Sequence, residues 1–197
     1  MSKGEDTRSA ILDTALDMVR VAGLEGLTIG SLARERRLSK SGVFAHFGSK
    51  EELQIAVLQR ARESFIDEVL RPAFTAPRGV ARLRAVFANW LRWSTRGGGC
   101  PMIPAAYEFD DRPGPVREMV AIALRELRQT VVRTIAMAVD CGDLRADTDP
   151  ECLATQVLGL VMATHVDHRL LDDPEARERG LRALESLLQA HSAITRH

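Results

Sequence analysis

Five basic side chains crowd the stretch from Arg34 to Lys50 (Arg34, Arg36, Arg37, Lys40 and Lys50) against one acid, Glu35, in a chain whose formal net charge is zero. A local cationic excess in a neutral chain singles out one surface for a polyanion, although the overall charge does not. Within that stretch, Ser39-Lys40-Ser41-Gly42 combines small and hydroxyl side chains with one ammonium. At the start of a short helix such a run permits close approach and leaves donors for base edges in a major groove. Thr28, His46 and Lys50 lie where a hydroxyl, an imidazole and an ammonium can grip phosphates on either side. Arg36 and Arg37 add charge at the turn. Val43 and Phe47 anchor the same helix to a local core. A basic run alone is commonly a solvated face, and the slim, hydroxyl-bearing helix start beside it is what points to duplex DNA.

The remaining chain offers bulk rather than reactivity. Phe87, Trp90, Trp93, Met102, Tyr107, Phe109, Met137 and Met162 fall on helical stripes, and each taken singly reads as core. His165 and His168, three apart beside Asp167, lack a third and fourth ligand at metal spacing and read as helix-end histidines. Cys100 follows three glycines and reads as a loop thiol open to oxidation, whereas Cys141 and Cys152 read as structural. The glycine triplet is no phosphate loop, because no Lys-Ser/Thr follows it. No nucleophile, base and orienting group assemble by spacing, so neither an enzyme nor a cofactor is expected. Met1–Asp6 is polar, without the apolar core of a secretory signal, and no apolar run approaches membrane-spanning length. With three widely spaced cysteines, a cytoplasmic protein with reduced thiols is expected.

The elements that must position these groups are helices. Hydrophobic residues make up 45% of the chain and aromatics only 5%, so Ala, Leu and Val carry the apolar content. Ile11, Leu12, Ala15, Val19 and Ala22 form one stripe, capped by Asp6 or Thr7 and stopped at Gly23. Thr28 caps a short second helix, and a turn at Leu38-Ser39 leads to a third over roughly 40–47. Ser49 caps a fourth that ends before Pro72. Further helices are expected over about 80–96, 103–109, 115–139 and 150–171, then from Asp173-Pro174 to near His191. The fold class is all-α, with nine helices: a head over residues 1–48 and a body over 49–197.

The run Leu38-Ser39-Lys40-Ser41-Gly42-Val43-Phe44-Ala45-His46-Phe47-Gly48-Ser49-Lys50-Glu51-Glu52-Leu53, preceded by Gly26-Leu27-Thr28, resembles the helix-turn-helix head of the TetR/AcrR family. Three positions depart from the family pattern. Phe44 replaces a tyrosine whose hydroxyl touches phosphate, Arg36-Arg37 replaces Ala-Gly at the turn, and Ser31 replaces an acid near the start of the second helix. A left-handed Arg37 would cost on the order of 1 kcal/mol relative to glycine.

The resemblance implies a homodimeric repressor that binds a pseudo-palindromic operator in double-stranded DNA and is released by a small organic effector. DNA contacts then fall to Thr28, Arg36, Arg37, Ser39, Lys40, Ser41, Gly42, Phe44, His46 and Lys50. It also implies an uncharged or amphipathic effector held in the body, with Phe65, Trp90, Trp93, Met102, Tyr107, Met137 and Met162 as its lining. Leu153, Val157, Leu160, Val161, Thr164, Leu181, Leu184 and Leu188 would form the dimer face, with Gly159 and Ala163 permitting close approach. The fourth helix would carry the signal as a near-rigid lever. A thiol-based regulator acting through Cys100, and an activator of the same architecture, are the alternatives.

Overall fold

A computed structural model describes residues 3–193, and among these the chain is helical almost throughout. In order the helices are α1 (Lys3–Ala22), α2 (Ile29–Glu35), α3 (Lys40–Phe47), α4 (Lys50–Phe65), α5 (Val80–Ser94), α6 (Met102–Glu108), α7 (Pro115–Asp140), α8 (Pro150–Arg169) and α9 (Ala176–Ala190). α4 is prolonged by a π-helical turn, Ile66–Leu70, and a last α-turn, Arg71–Ala73. The only extended pairing among the described residues is an isolated bridge between Leu144 and Ser192. The all-α, nine-helix expectation is borne out.

Local chemistry explains most boundaries. The Ser49 hydroxyl accepts from the Glu52 N–H at 3.0 Å and so starts α4. The Asp149 carboxylate takes the Glu151 and Cys152 N–H groups at 2.9 and 3.3 Å, with Pro150 in the first turn of α8. Three boundaries differ from expectation. α1 begins at Lys3 rather than after Asp6 or Thr7, so Glu5 and Asp6 fall within its first turn, where the macrodipole favours acids. The fourth helix runs past Pro72 instead of stopping before it. Arg71 donates to the Ile66 carbonyl, a wider turn than α-helical, just where the proline ring would otherwise meet the preceding turn. The ninth helix starts later, at Ala176, because the Asp173 carboxylate folds back onto the Glu175 N–H at 2.8 Å and closes a turn first.

Packing divides the chain into two compact units. One comprises the described residues up to Ser64 together with Gly97–Leu124; the other comprises Phe65–Arg96 with the described residues from Arg125 on. In the first, Ile11, Ala15, Val19, Leu27, Leu32, Val43 and Phe47 share a core with Leu53, Val57 and Leu58 of α4 and with Ala105 and Phe109. The three short helices therefore do not close a core alone. In the second, α5 buries Leu83, Phe87, Trp90, Leu91 and Trp93, and α8 and α9 bury Leu153, Val157, Val161, Leu184 and Leu188.

Candidate nucleic-acid interface

The helix-turn-helix is built by three small hydrogen-bonded devices. At the start of α2 the Thr28 hydroxyl accepts from the Ser31 N–H at 2.9 Å, and the Thr28 N–H donates to the Ser31 hydroxyl at 3.0 Å. This is a complete capping box made with a serine in place of the usual acid. α2 ends in a Schellman pair: the Leu38 N–H donates to the Ala33 carbonyl at 2.8 Å, and that of Arg37 to the Arg34 carbonyl at 3.1 Å. The geometry needs a left-handed residue, and Arg37 supplies it with φ of 52°. Ser39 then caps α3, accepting from the Gly42 N–H at 3.0 Å, with the Ser41 hydroxyl 3.1 Å away.

These devices orient α3. Val43 and Phe47 are buried, and the Arg8 guanidinium lies 5.1 Å over the Phe47 ring. Lys40, Ser41 and Phe44 are left open, with Phe44 54% exposed. Arg34, Arg36 and Arg37 are exposed along the end of α2 and the turn, and Thr28 is exposed at its start. His46 is half-buried beside Phe47. An uncovered helix face of small and cationic groups, flanked by guanidinium groups, is suited to a duplex groove and its phosphates. The Lys50 ammonium donates to the Glu25 carbonyl at 3.1 Å and lies 3.4 Å from its carboxylate, so any phosphate contact must compete with that pairing. Burial pushes the Glu25 carboxyl up, but Lys50, by charge and hydrogen bond, and Arg112 outweigh it and hold the group below its ordinary range.

Two further residues shape this region and carry no signal in local sequence. The buried Gln54 donates to the Leu24 carbonyl at 2.9 Å. The Glu108 carboxylate accepts from the N–H groups of Leu24 and Glu25 at 2.9 and 3.0 Å. Both partners are remote in sequence, which is why pattern reading missed them.

The residues expected to line an effector site divide between the two units. Phe65, Trp90 and Trp93 come together in the second, with Phe65 edge-on to both indoles at 5.4 Å. The Trp90 indole N–H is buried without a hydrogen-bond partner among the described residues. Met137 is half-buried and Met162 is 37% exposed on α8. Met102 and Tyr107 belong to the first unit, where Tyr107 is 65% exposed. A cavity of about 830 Å³ in the second unit is lined elsewhere, by Val80, Arg84, Asp143, Arg145, Glu185 and Leu188 among others. Its charged groups are mutually satisfied: Arg84 pairs with Glu185, and Asp143 accepts from the Val80 N–H.

Leu153, Val157, Val161, Thr164, Leu184 and Leu188 are buried within the single chain, and Leu160 and Leu181 are half-buried. The open stripe of α8 is instead Gly159, Met162, Ala163, Val166 and Leu170, the last 75% exposed. The thiols reverse their expected settings. Cys100 is 3% exposed because its loop folds inward, while Cys141 and Cys152 are exposed near helix ends. His168 Nε2 lies 3.2 Å from the Thr95 carbonyl, and no group of three metal-ligating side chains occurs among the described residues. No described helix is long and apolar enough to cross a membrane.

Comparison with known proteins agrees with this geometry. Residues 11–57 match the family described as bacterial regulatory proteins, tetR family, and residues 79–184 match the tetracyclin repressor-like C-terminal domain. The HTH-type transcriptional regulator BetI of Rhizobium meliloti (strain 1021) is 26% identical over 189 residues, covering 93% of this chain and 88% of that protein. A TetR transcriptional regulator from Chloroflexus aurantiacus J-10-FL superposes with a TM-score of 0.88 at 25% identity, over 98% of each chain. AibR in complex with isovaleryl coenzyme A and operator DNA superposes at 0.72 with 23% identity, over 95% of this chain and 99% of that one. With family matches over both the helix-turn-helix and most of the remaining helices, the chain is a member of the TetR family of DNA-binding transcription regulators.

Proposed function

We propose that this regulator is a ligand-responsive repressor that binds a pseudo-palindromic operator as a homodimer and leaves it when a small organic effector binds. The observation that carries the reading is the open face of α3, Lys40, Ser41 and Phe44, held outward by the burial of Val43 and Phe47. Ser39, Ser41 and Gly42 keep its leading end slim enough for a major groove. Arg36, Arg37, Thr28, His46 and Lys50 serve as the phosphate contacts that fix its register. Residues 1–48 act as the DNA-binding part and 49–197 as the effector-binding and dimerising part.

Two-fold symmetry follows from the operator: two α3 helices must reach successive major-groove faces about 34–36 Å apart, or a multiple of that. The exposed small and apolar stripe Gly159-Met162-Ala163-Val166-Leu170 on α8 supports a helix-to-helix dimer contact. For the effector, the Phe65–Trp90–Trp93 cluster, with an indole N–H at Trp90 that has no partner among the described residues, supports an uncharged or amphipathic molecule bearing one hydrogen-bond acceptor. A fold neighbour found with both an acyl coenzyme A and operator DNA gives a precedent for two such partners on this fold. A typical coupling of about 1–3 kcal/mol links such sites, and a near-complete switch needs about 5.5 kcal/mol of differential affinity.

The test is selection of duplexes from a random pool by the full-length protein, followed by sedimentation of the complex. An inverted repeat bound by two chains supports the proposal. A monomer on an asymmetric site, or no selected sequence, overturns it.

A further inference from the structure

We infer that Glu108 is a positioning residue for DNA recognition: its carboxylate clamps the corner between α1 and α2 and so sets the pose of the helix-turn-helix. The inference rests on the DNA-binding reading of α3 and adds a determinant outside the DNA-binding segment.

The corner is short, with Leu24 and Leu27 buried in the core. α1 stops at Gly23, and Thr28 caps α2 five residues later, so the pose of α2 depends on the backbone of residues 23–27. That backbone has a bond of its own, from the Leu27 N–H to the Leu24 carbonyl at 3.3 Å, yet each backbone N–H and carbonyl of Leu24 and Glu25 also meets a side chain from afar. Their two N–H groups converge on one Glu108 oxygen at 2.9 and 3.0 Å. Their two carbonyls accept from Gln54 at 2.9 Å and Lys50 at 3.1 Å. α6 thus holds the corner by its donors, and α4 holds it by its acceptors.

The glycine at the corner is shaped to the clamp. Gly23 has φ of 76°, and a Cβ there would lie 2.1 Å from Glu108 Oε1. The same chain segment grips the end of α1 a second time. The Arg20 guanidinium donates to the Gly99 carbonyl at 3.0 Å, and a Cβ on Gly98 would meet Arg20 Cβ at 2.7 Å. Gly98 to Glu108 therefore brackets the final turn of α1 and the corner beyond it. Arg112, 3.3 Å from the Glu25 carboxylate, extends the bracket. A hydrogen bond to a charged acceptor is stronger than one to a neutral acceptor, and two donors share this one. Releasing it frees the corner without removing any group that could touch DNA.

The experiment uses full-length Glu108→Ala and Glu108→Gln, a duplex selected by the wild-type protein, and amide hydrogen exchange resolved at Leu24 and Glu25. Glu108→Ala is expected to weaken binding about tenfold, and Glu108→Gln, which keeps an uncharged acceptor, about two- to threefold. Exchange at Leu24 and Glu25 should accelerate in that same order, while the salt dependence of binding stays as in wild type because no phosphate contact is lost. Wild-type affinity in Glu108→Ala, or a changed salt slope, overturns the inference. If Glu108→Ala does not fold, Glu108→Gln decides: unchanged exchange at both amides overturns the clamp. A wild-type protein that selects no duplex overturns the functional reading and this inference together, whereas unaltered binding by the variants overturns this inference alone.

Discussion

Replacing Arg37 by glycine sets stability and DNA affinity against each other. Arg37 holds φ of 52° at the end of α2. That conformation costs an L-residue about 1–2 kcal/mol, whereas glycine enters it freely. Against this, glycine widens the unfolded ensemble, by about 0.4–1 kcal/mol. The two bonds that close the turn, Leu38 N–H to Ala33 and Arg37 N–H to Arg34, are backbone bonds and survive the change. The difference is a stabilisation of about 0.8 kcal/mol, worth about 2–3 °C in the melting midpoint of a chain this size. The exposed guanidinium is lost at the same time. If each head meets one phosphate through it, the slope of log affinity against log salt falls by about 0.9 per head. Thermal unfolding followed by circular dichroism, and anisotropy titrations across a range of salt, measure the two effects in one preparation. A lower melting midpoint refutes the strain argument, and an unaltered salt slope refutes the phosphate contact.

Three other substitutions probe the same region and the body. Gly23→Ala combines a left-handed φ of 76° with a collision at Glu108, and should lower the melting midpoint by about 2–8 °C; an unshifted midpoint refutes it. Thr28→Ala removes the hydroxyl half of the capping box, leaving the Thr28 N–H on the Ser31 hydroxyl, and should cost about 1 kcal/mol in urea denaturation, whereas Thr28→Ser should be nearly silent. Equal midpoints for the two would sink the cap argument. His165 is held below its ordinary pKa of 6.5 by burial, then by the charges of Arg169 and His168. The unfolded chain therefore takes up the proton first as pH falls, so this residue favours the folded state above 6.5 and disfavours it progressively below. His165→Gln should flatten the stability profile on the acid side of that value, and an identical acid limb in the variant would refute the assignment.

Much of the head was legible because its signals are local. Thr28 with Ser31, Ser39 with Gly42, and Ser49 with Glu52 each act over three residues, and the hydrophobic stripe of α1 repeats within its own helix. Other features depend on partners that periodicity does not reveal. Leu153, Val157, Val161, Leu184 and Leu188 form the wide apolar faces expected of a dimer contact, yet an amphipathic pattern says only that a face is covered, not by which chain. Here they are covered within the protomer, and the exposed stripe of α8 lies about half a turn away. The burial of Cys100 likewise follows from the path of its loop rather than from its neighbours in sequence.

The corner at Leu24 and Glu25 shows where a local reading ends and a functional one starts. By its own residues it is a glycine stop followed by a short turn that buries Leu24 and Leu27, and its sequence does not specify an angle between α1 and α2. The angle is imposed from outside, by a carboxylate on α6 and by an amide and an ammonium on α4. In sequence the carboxylate and the amide carry no signal, and the ammonium reads as a phosphate contact rather than as a clamp on this corner. Such an arrangement makes the pose of α3 depend on two helices outside the helix-turn-helix itself. A substitution on α6 can therefore change DNA affinity while every residue facing DNA is unchanged. Mutational scans of this protein should accordingly find a cluster of affinity losses at Gly23, Gln54 and Glu108 with the salt slope preserved, distinct from losses at Arg36 and Arg37 that reduce it.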